Sequence, residues 1–372
     1  MDFKRILVGA LCFLAMGMSF TACSDDDEVI KNDEVMNDDG SKIELPGRRA
    51  YILYEGAFAQ GADFNNTGIS FYAPNKDGES NPNIYKFQND KELGNLGQTM
   101  IEYDDFIYVV VSGSKSVVKL NEACVEVGRC NFTKDADKET DARYITAEDG
   151  FLYVTQYGGT VSKIDANTMK EVSTFKGGNY LEGIAEHNGN LYVANSRGTA
   201  KEILVFNETK AQPDTIEVVT NPSAVLEEDD MIYVISNGNY ADIHNQFQVI
   251  NPQTKKSKVI AQAGRMAKGN DDLIYLVDTK SDWAAGTTDN KLFSYNTKTQ
   301  SLNEQSFLKN APKEITNGNI YMISVDDDTD EIYIGVTDYS TDGTIYRFDR
   351  NGNLKESFSA GGVNPNTMIF VD

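Results

Sequence analysis

The chain has 372 residues, with 57 aspartates and glutamates against 34 lysines and arginines, for a formal net charge of −23. That balance excludes nucleic acid and anionic lipid as main partners, because both are held by clustered Lys and Arg; acidity of this kind serves solubility. The length suggests two or three domains unless the chain is one closed array of repeats.

The N-terminus reads as a targeting segment. Lys4 and Arg5 precede an apolar run at residues 6–20, too short for a membrane span of roughly 20 residues. Phe20, Thr21 and Ala22 then lead to Cys23. This is the pattern of a secretory signal of the bacterial lipoprotein type, residues 1–22, cut before Cys23, which becomes lipidated. An ordinary signal peptide or a membrane anchor is the alternative. Residues 23–46 carry the lipid cysteine and an acidic stretch poor in aromatics, expected to be a disordered tether. Residues 47–372 hold everything else.

From there the chain repeats one phrase, an Ile/Leu-Tyr-Val run followed by a turn and an alternating strand. Its tyrosines are Tyr108, Tyr153, Tyr192, Tyr233, Tyr275 and Tyr333, mostly 40 to 45 residues apart, with Tyr54 beginning an earlier, seventh copy. That is the period of a four-stranded propeller blade. A short apolar strand precedes each phrase, as at 99–101, 144–146 and 183–185. Asp104-Asp105, Asp149-Gly150, Asn188-Gly189, Asp229-Asp230 and Asp271-Asp272 supply the tight turn into the second strand. The third strand ends at a turn-capping Asn121, Asp165, Asn207, Asn251, Asn296 or Asp349. The apolar period is two and the strands are rich in Val, Ile and Tyr. The expected fold is all-β, a seven-bladed β-propeller of four-stranded blades. The tail at residues 367–371 has the pattern of an inner strand without a blade, and blade one lacks an inner strand. The C-terminal strand should therefore complete the N-terminal blade. The tyrosines are expected as blade core.

Four cysteines reduce to two after removal of Cys12 and modification of Cys23. In an extended segment, Cys124 and Cys130 lie about 20 Å apart, beyond disulfide reach. Two buried thiols are expected, with a bridge possible only if Gly128 folds the segment back.

The loops joining strands two and three share one end of the ring with the links between blades. They run over 55–68, 112–116, 155–160, 194–200, 236–246, 278–290 and 337–343. This end collects Trp283, the single tryptophan, with His244, Phe58, Phe64, Tyr157, Tyr240 and Tyr339, and with Asn195 and Asn237. The blade links add Gln98, Arg143, Tyr180 and Arg265. Aromatic faces and neutral amides suit a large, flat, amide-rich ligand. A corrinoid has that character, and so has a sugar chain; composition does not separate them. Loop packing is the alternative role of each aromatic, and exposure or a plain hydrogen bond that of His244. The other histidine, His187, falls in a short turn at the opposite end. No GxSxG, HExxH or P-loop is present, so no enzyme activity is expected. The acidic turn at 326–330 lacks EF-hand spacing, and no metal site is expected.

The signal, the acidic run at 24–28 after Cys23 and the seven repeats together resemble the YncE-like seven-bladed propellers of Bacteroides surface lipoproteins, and within these the vitamin B12-binding BtuG type. The resemblance implies an outer-membrane lipoprotein facing the extracellular side. It implies cobalamin as a transported ligand rather than a cofactor, and a TonB-dependent outer-membrane transporter as partner. It also tips the choice of ligand toward the corrinoid at Phe64, Gln98, Arg143, Tyr157, Tyr180, Asn195, Asn237, Tyr240, His244, Arg265 and Trp283. A glycan-binding lipoprotein of a polysaccharide-uptake system and a metal-dependent lactonase are the alternative uses of this architecture.

Overall fold

The computed structural model describes residues 36–57, 66–74, 79–132, 141–282 and 285–372. Residues 1–35 with Cys23, and Phe58, Phe64 and Trp283, lie outside them.

Seven four-stranded antiparallel sheets form the blades. Blade two shows the plan: an inner strand Gly97–Tyr103, then Phe106–Val111, Ser116–Leu120 and an outer strand Glu126–Asn131. The tight turns follow from residue type. Asp104 and Asp105 have φ of 52° and 61°, Asn188 and Gly189 51° and 73°, and Asp229 and Asp230 50° and 59°. Two successive positive φ values are what a two-residue hairpin matched to strand twist needs, and Asp, Asn and Gly tolerate them. In blade six, Asp271 and Asp272 also have positive φ but belong to a longer loop, closed by the Gly269 N–H donating to Leu273 O.

The ring closes as expected. The C-terminal strand Pro365–Val371 pairs with Arg49–Tyr54 from Arg49↔Val371 to Tyr54↔Pro365, and blade one is completed by Gly68–Ala73 and Glu79–Asn81. The register corrects one assignment. In blade two Tyr108 lies opposite Ile101, three residues past the irregularity at Gln98. The same offset in blade one leads from Asn366 to Ile369, whose partner is Tyr51. Tyr51, not Tyr54, is the seventh copy of the repeated tyrosine, and all seven are buried. Tyr54 instead packs under Gly68 and Gly362, where any Cβ would collide with its ring.

The core lies between blades. Val109, Val111 and Val118 pack toward blade one, while Val110 and Val117 pack toward blade three. Each such side chain contributes roughly 1.5–3 kcal/mol. The turn end adds ionic fastening. Arg48 binds Asp326, which is 1% exposed, and reaches Asp328 at 2.8 Å and the C-terminal Asp372 at 2.7 Å. The acidic turn 326–330 is thus a dock for the chain leading into blade one. Arg347 sits between Glu331 and Glu356 at 2.6 and 2.7 Å.

Two further expectations change. Residues 36–46, assigned to the tether, pack on the ring: the Lys42 N–H donates to Gln88 Oε1 at 2.8 Å, Asn121 Nδ2 donates to Asp39 O, and Leu45 joins the blade one–two core. The loop assigned to 278–290 is largely hairpin, since Leu273–Asp282 pairs with Thr287–Asn296 as far as Asp282↔Thr287. Its Asn290 accepts from Thr279 and donates to the carbonyls of Ile315 and Gly318, pinning the segment between blades six and seven. Cys124 and Cys130 are free and buried, and burial raises both thiols.

Candidate functional site

The site at the mouth end begins with a repeated backbone irregularity. In six blades the register shifts near the start of the inner strand, at Gln98, at Arg143–Tyr144, at Glu182–Gly183, at Ser223, at Tyr321 and at Asn366. A bulge of this kind re-aims a side chain without breaking the sheet. Here it turns polar groups toward the axis that the inner strands surround. Gly183 shows how close the strands come: a Cβ there would lie 2.7 Å from the Val225 nitrogen of the next blade.

Across blades two to four these groups form one network. Arg143 donates to Glu182 Oε2 at 3.0 Å and to the Gln98 side-chain oxygen. Its guanidinium lies 4.8 Å from the centre of the Tyr157 ring. The Tyr157 hydroxyl donates to Glu182 Oε1 at 2.6 Å, and its ring meets Tyr180 edge-on at 5.1 Å. Arg197 stacks over Tyr180 at 4.0 Å. Burial opposes the charge on Arg143, but Glu182 and Tyr157 outweigh it and hold the guanidinium above its usual range. The sequence expectation named Gln98, Arg143, Tyr157 and Tyr180; it missed Glu182, which joins them.

Blades six, seven and one form the other side. Arg265 donates to the Tyr321 carbonyl at 3.0 Å and lies 5.4 Å from the Tyr321 ring centre. Tyr321 meets Tyr339 edge-on at 6.0 Å, and its hydroxyl donates to Glu55. Burial draws the Arg265 guanidinium below its usual range, partly opposed by Tyr321, Tyr144 and Tyr339. Tyr144 connects the two sides. Burial raises its phenol, Glu182 raises it further, and Arg143 and Arg265 both pull it back. Tyr144 of blade three and Arg265 of blade six therefore sense each other's charge.

The remaining candidates separate from this centre. Asn237, Tyr240 and His244 line a cleft of about 620 Å³ between the mouth loops of blades five and six, with Asp278 and Lys280 on the opposite wall. Tyr240 is 83% exposed, and His244 is exposed. Asn195 is used internally: it accepts from the Asn179 N–H and donates to Glu202. At the turn end, His187 Nδ1 lies 3.2 Å from Glu227, and Asp230 stands close enough to complete a three-ligand group. The missed Glu182 had a signal. Gln98, Arg143, Glu182 and Ser223 each precede their repeat tyrosine by ten positions, so aligning the copies picks out the ring.

No protein-family model matches the chain, and no curated protein matches it. Solved structures do. It is similar to a functionally unknown protein from Desulfotomaculum acetoxidans DSM 771, at 12% identity over 87% of this chain and 98% of that one, TM-score 0.58. It is similar to Kuenenia stuttgartiensis hydrazine synthase, at 16% identity over 66% of this chain and 74% of that one, TM-score 0.54. It also resembles the Cps50 (Swd1) β-propeller domain of Myceliophteria thermophila, at 10% identity over 70% and 88%, TM-score 0.50. At these identities the likeness carries the fold alone: the protein is a seven-bladed β-propeller.

Proposed function

We propose that the protein is a surface-anchored binding protein for a corrinoid such as cobalamin, held by a lipid on Cys23, which delivers its ligand to a TonB-dependent outer-membrane transporter. The anchor, the ligand and the transporter come from the sequence resemblance. The observation that carries a binding role is the mouth. Paired aromatic rings are flanked by guanidiniums there, Tyr157 and Tyr180 between Arg143 and Arg197, and Tyr321 and Tyr339 beside Arg265.

Stacked ring–guanidinium pairs offer broad, stiff, amphipathic area. Gln98 and the amides of the neighbouring cleft supply partners for the carboxamide arms that fringe a corrin ring. The groups are already ordered by their mutual bonds, so little rotamer entropy is lost on capture. The role assigned is capture, not catalysis. His244 makes no hydrogen bond among the described residues, and Glu182, the carboxylate of the network, is committed to Arg143 and Tyr157.

Titration of the purified chain with cyanocobalamin, followed by calorimetry and by the visible bands of the corrin, tests the reading. Saturable binding at micromolar protein or below is expected. Absence of heat and of any band shift overturns it, and retention on immobilised glycans in the same preparation would move the protein to the glycan-binding class.

A further inference from the structure

Two of the mouth arginines, Arg143 and Arg265, are in opposite situations. Arg143 directs its donors to Glu182 and Gln98. Arg265 gives one N–H to a backbone carbonyl and rests over a tyrosine ring. The groups acting on its charge are the phenols of Tyr321, Tyr144 and Tyr339; no carboxylate among the described residues pairs with it. Elsewhere Arg48 has Asp326, Arg129 has Glu126 and Arg347 has Glu331, and the buried Arg49, which has no carboxylate, spends its donors on Tyr51 and on the carbonyls of Pro46, Gly47 and Glu122.

A guanidinium has five N–H donors in a planar fork. With one in use, most of the Arg265 fork is uncommitted. Its place at the axis, facing Tyr144 across the mouth, puts it where a bound ligand would end. A flat cation braced on an aromatic face is well suited to bind an oxyanion through two parallel hydrogen bonds.

We infer that Arg265 is an anion subsite of the axial mouth, taking an oxyanion carried at the edge of the ligand. The inference rests on the mouth being the binding site, as proposed above. For a cobalamin the group presented would be the phosphodiester of its nucleotide arm. For another ligand it would be a carboxylate or phosphate of the same geometry.

The test uses the full chain solubilised in detergent. In one arm, cyanocobalamin is compared with dicyanocobinamide, which lacks the nucleotide arm, on wild type and on Arg265→Gln. Wild type should prefer cyanocobalamin by about tenfold, the value of one charged bidentate contact. In the variant the preference should fall toward one, because cyanocobalamin loses more affinity than dicyanocobinamide does. An equal preference in both proteins overturns the anion subsite and leaves corrinoid capture standing.

In the second arm no corrinoid is present, and thermal unfolding is followed in phosphate, acetate and chloride at matched ionic strength. Wild type should be stabilised by one of the oxyanions over chloride, and the choice between phosphate and acetate identifies the class. Arg265→Gln should lose that difference. Stabilisation that persists in the variant, or wild type indifferent to all three anions, overturns the subsite. If the oxyanion effect is present and Arg265-dependent while neither corrinoid binds, the subsite stands and the corrinoid reading falls.

Discussion

The two ends of the ring are built from the same strands to different rules. At the turn end, connections are as short as two residues and the charges are matched in place: Arg48 with Asp326, Arg347 with Glu331, Arg129 with Glu126. At the mouth end the inner strands bulge, the loops lengthen, and the guanidiniums of Arg197 and Arg265 lie over phenol rings with no carboxylate paired to them among the described residues. Cancelled charge and tight turns are what stability asks of a chain end; uncancelled charge beside stacked rings is what a ligand asks of it. The difference separates the part of the molecule that closes the ring from the part that meets solute.

The largest effect should follow from breaking closure. Met368 is 5% exposed in the core between blades seven and one. Met368→Asp should cost more than about 4 kcal/mol in urea unfolding, by burying an unpaired carboxylate. A cost below about 1 kcal/mol would mean the ring holds without its last strand. Arg347→Ala leaves Glu331 and Glu356 facing each other without their shared cation and should cost about 3 kcal/mol. Acid should act next on the same end. Glu126 is opposed by burial, but Arg129, Tyr85 and Lys91 overcome that and hold it down to about 2 from 4.5. A carboxylate with a lowered folded-state pKa stabilises above its unfolded value and loses that contribution as pH falls. Stability on the order of 2–3 kcal/mol should therefore disappear between about pH 4.5 and 2, and Glu126→Gln should flatten that part of the curve.

The turn end is also where the sequence was most legible. Asp-Asp, Asp-Gly and Asn-Gly pairs sit where two positive φ values are needed, and the apolar period of two fixes which residues enter the inter-blade cores. Closure by the tail followed from counting strands. The mouth was read only in part, because a bulge is a mismatch in residue count between paired strands and leaves no mark in residue type. Tyr54 was taken for Tyr51 for that reason: the register at Asn366 decides between them. Glu182 was missed because, in one repeat, a lone acidic residue between Leu181 and Gly183 looks like any solvated carboxylate. The 278–290 hairpin was missed because its strands are polar on both faces, so nothing apolar marks the extra length.

At the mouth the effects on stability should be smaller and those on ligand larger. Glu182→Gln keeps hydrogen bonding but removes the charge opposite Arg143. It should cost about 1 kcal/mol of stability and make Arg143 resemble Arg265, so that the response to oxyanions increases. An unchanged anion response would show that the carboxylate is not what separates the two arginines.

Tyr240→Ala tests the outermost part of the comparison. The ring is 83% exposed and its one side-chain hydrogen bond among the described residues comes from Asn221 at 3.4 Å. The φ of Tyr240 is +58°, so the backbone is held left-handed by the Asn239 side chain accepting from the Ala241 and Ile243 N–H groups rather than by the tyrosine. Unfolding free energy should stay within about 0.5 kcal/mol of wild type. A large aromatic left in water beside a 620 Å³ cleft has its use in the bound state, so cyanocobalamin affinity should fall by about five- to tenfold. Affinity unchanged beside Tyr240 but reduced by Arg265→Gln would confine the ligand to the axis and leave the blade five–six cleft to another role.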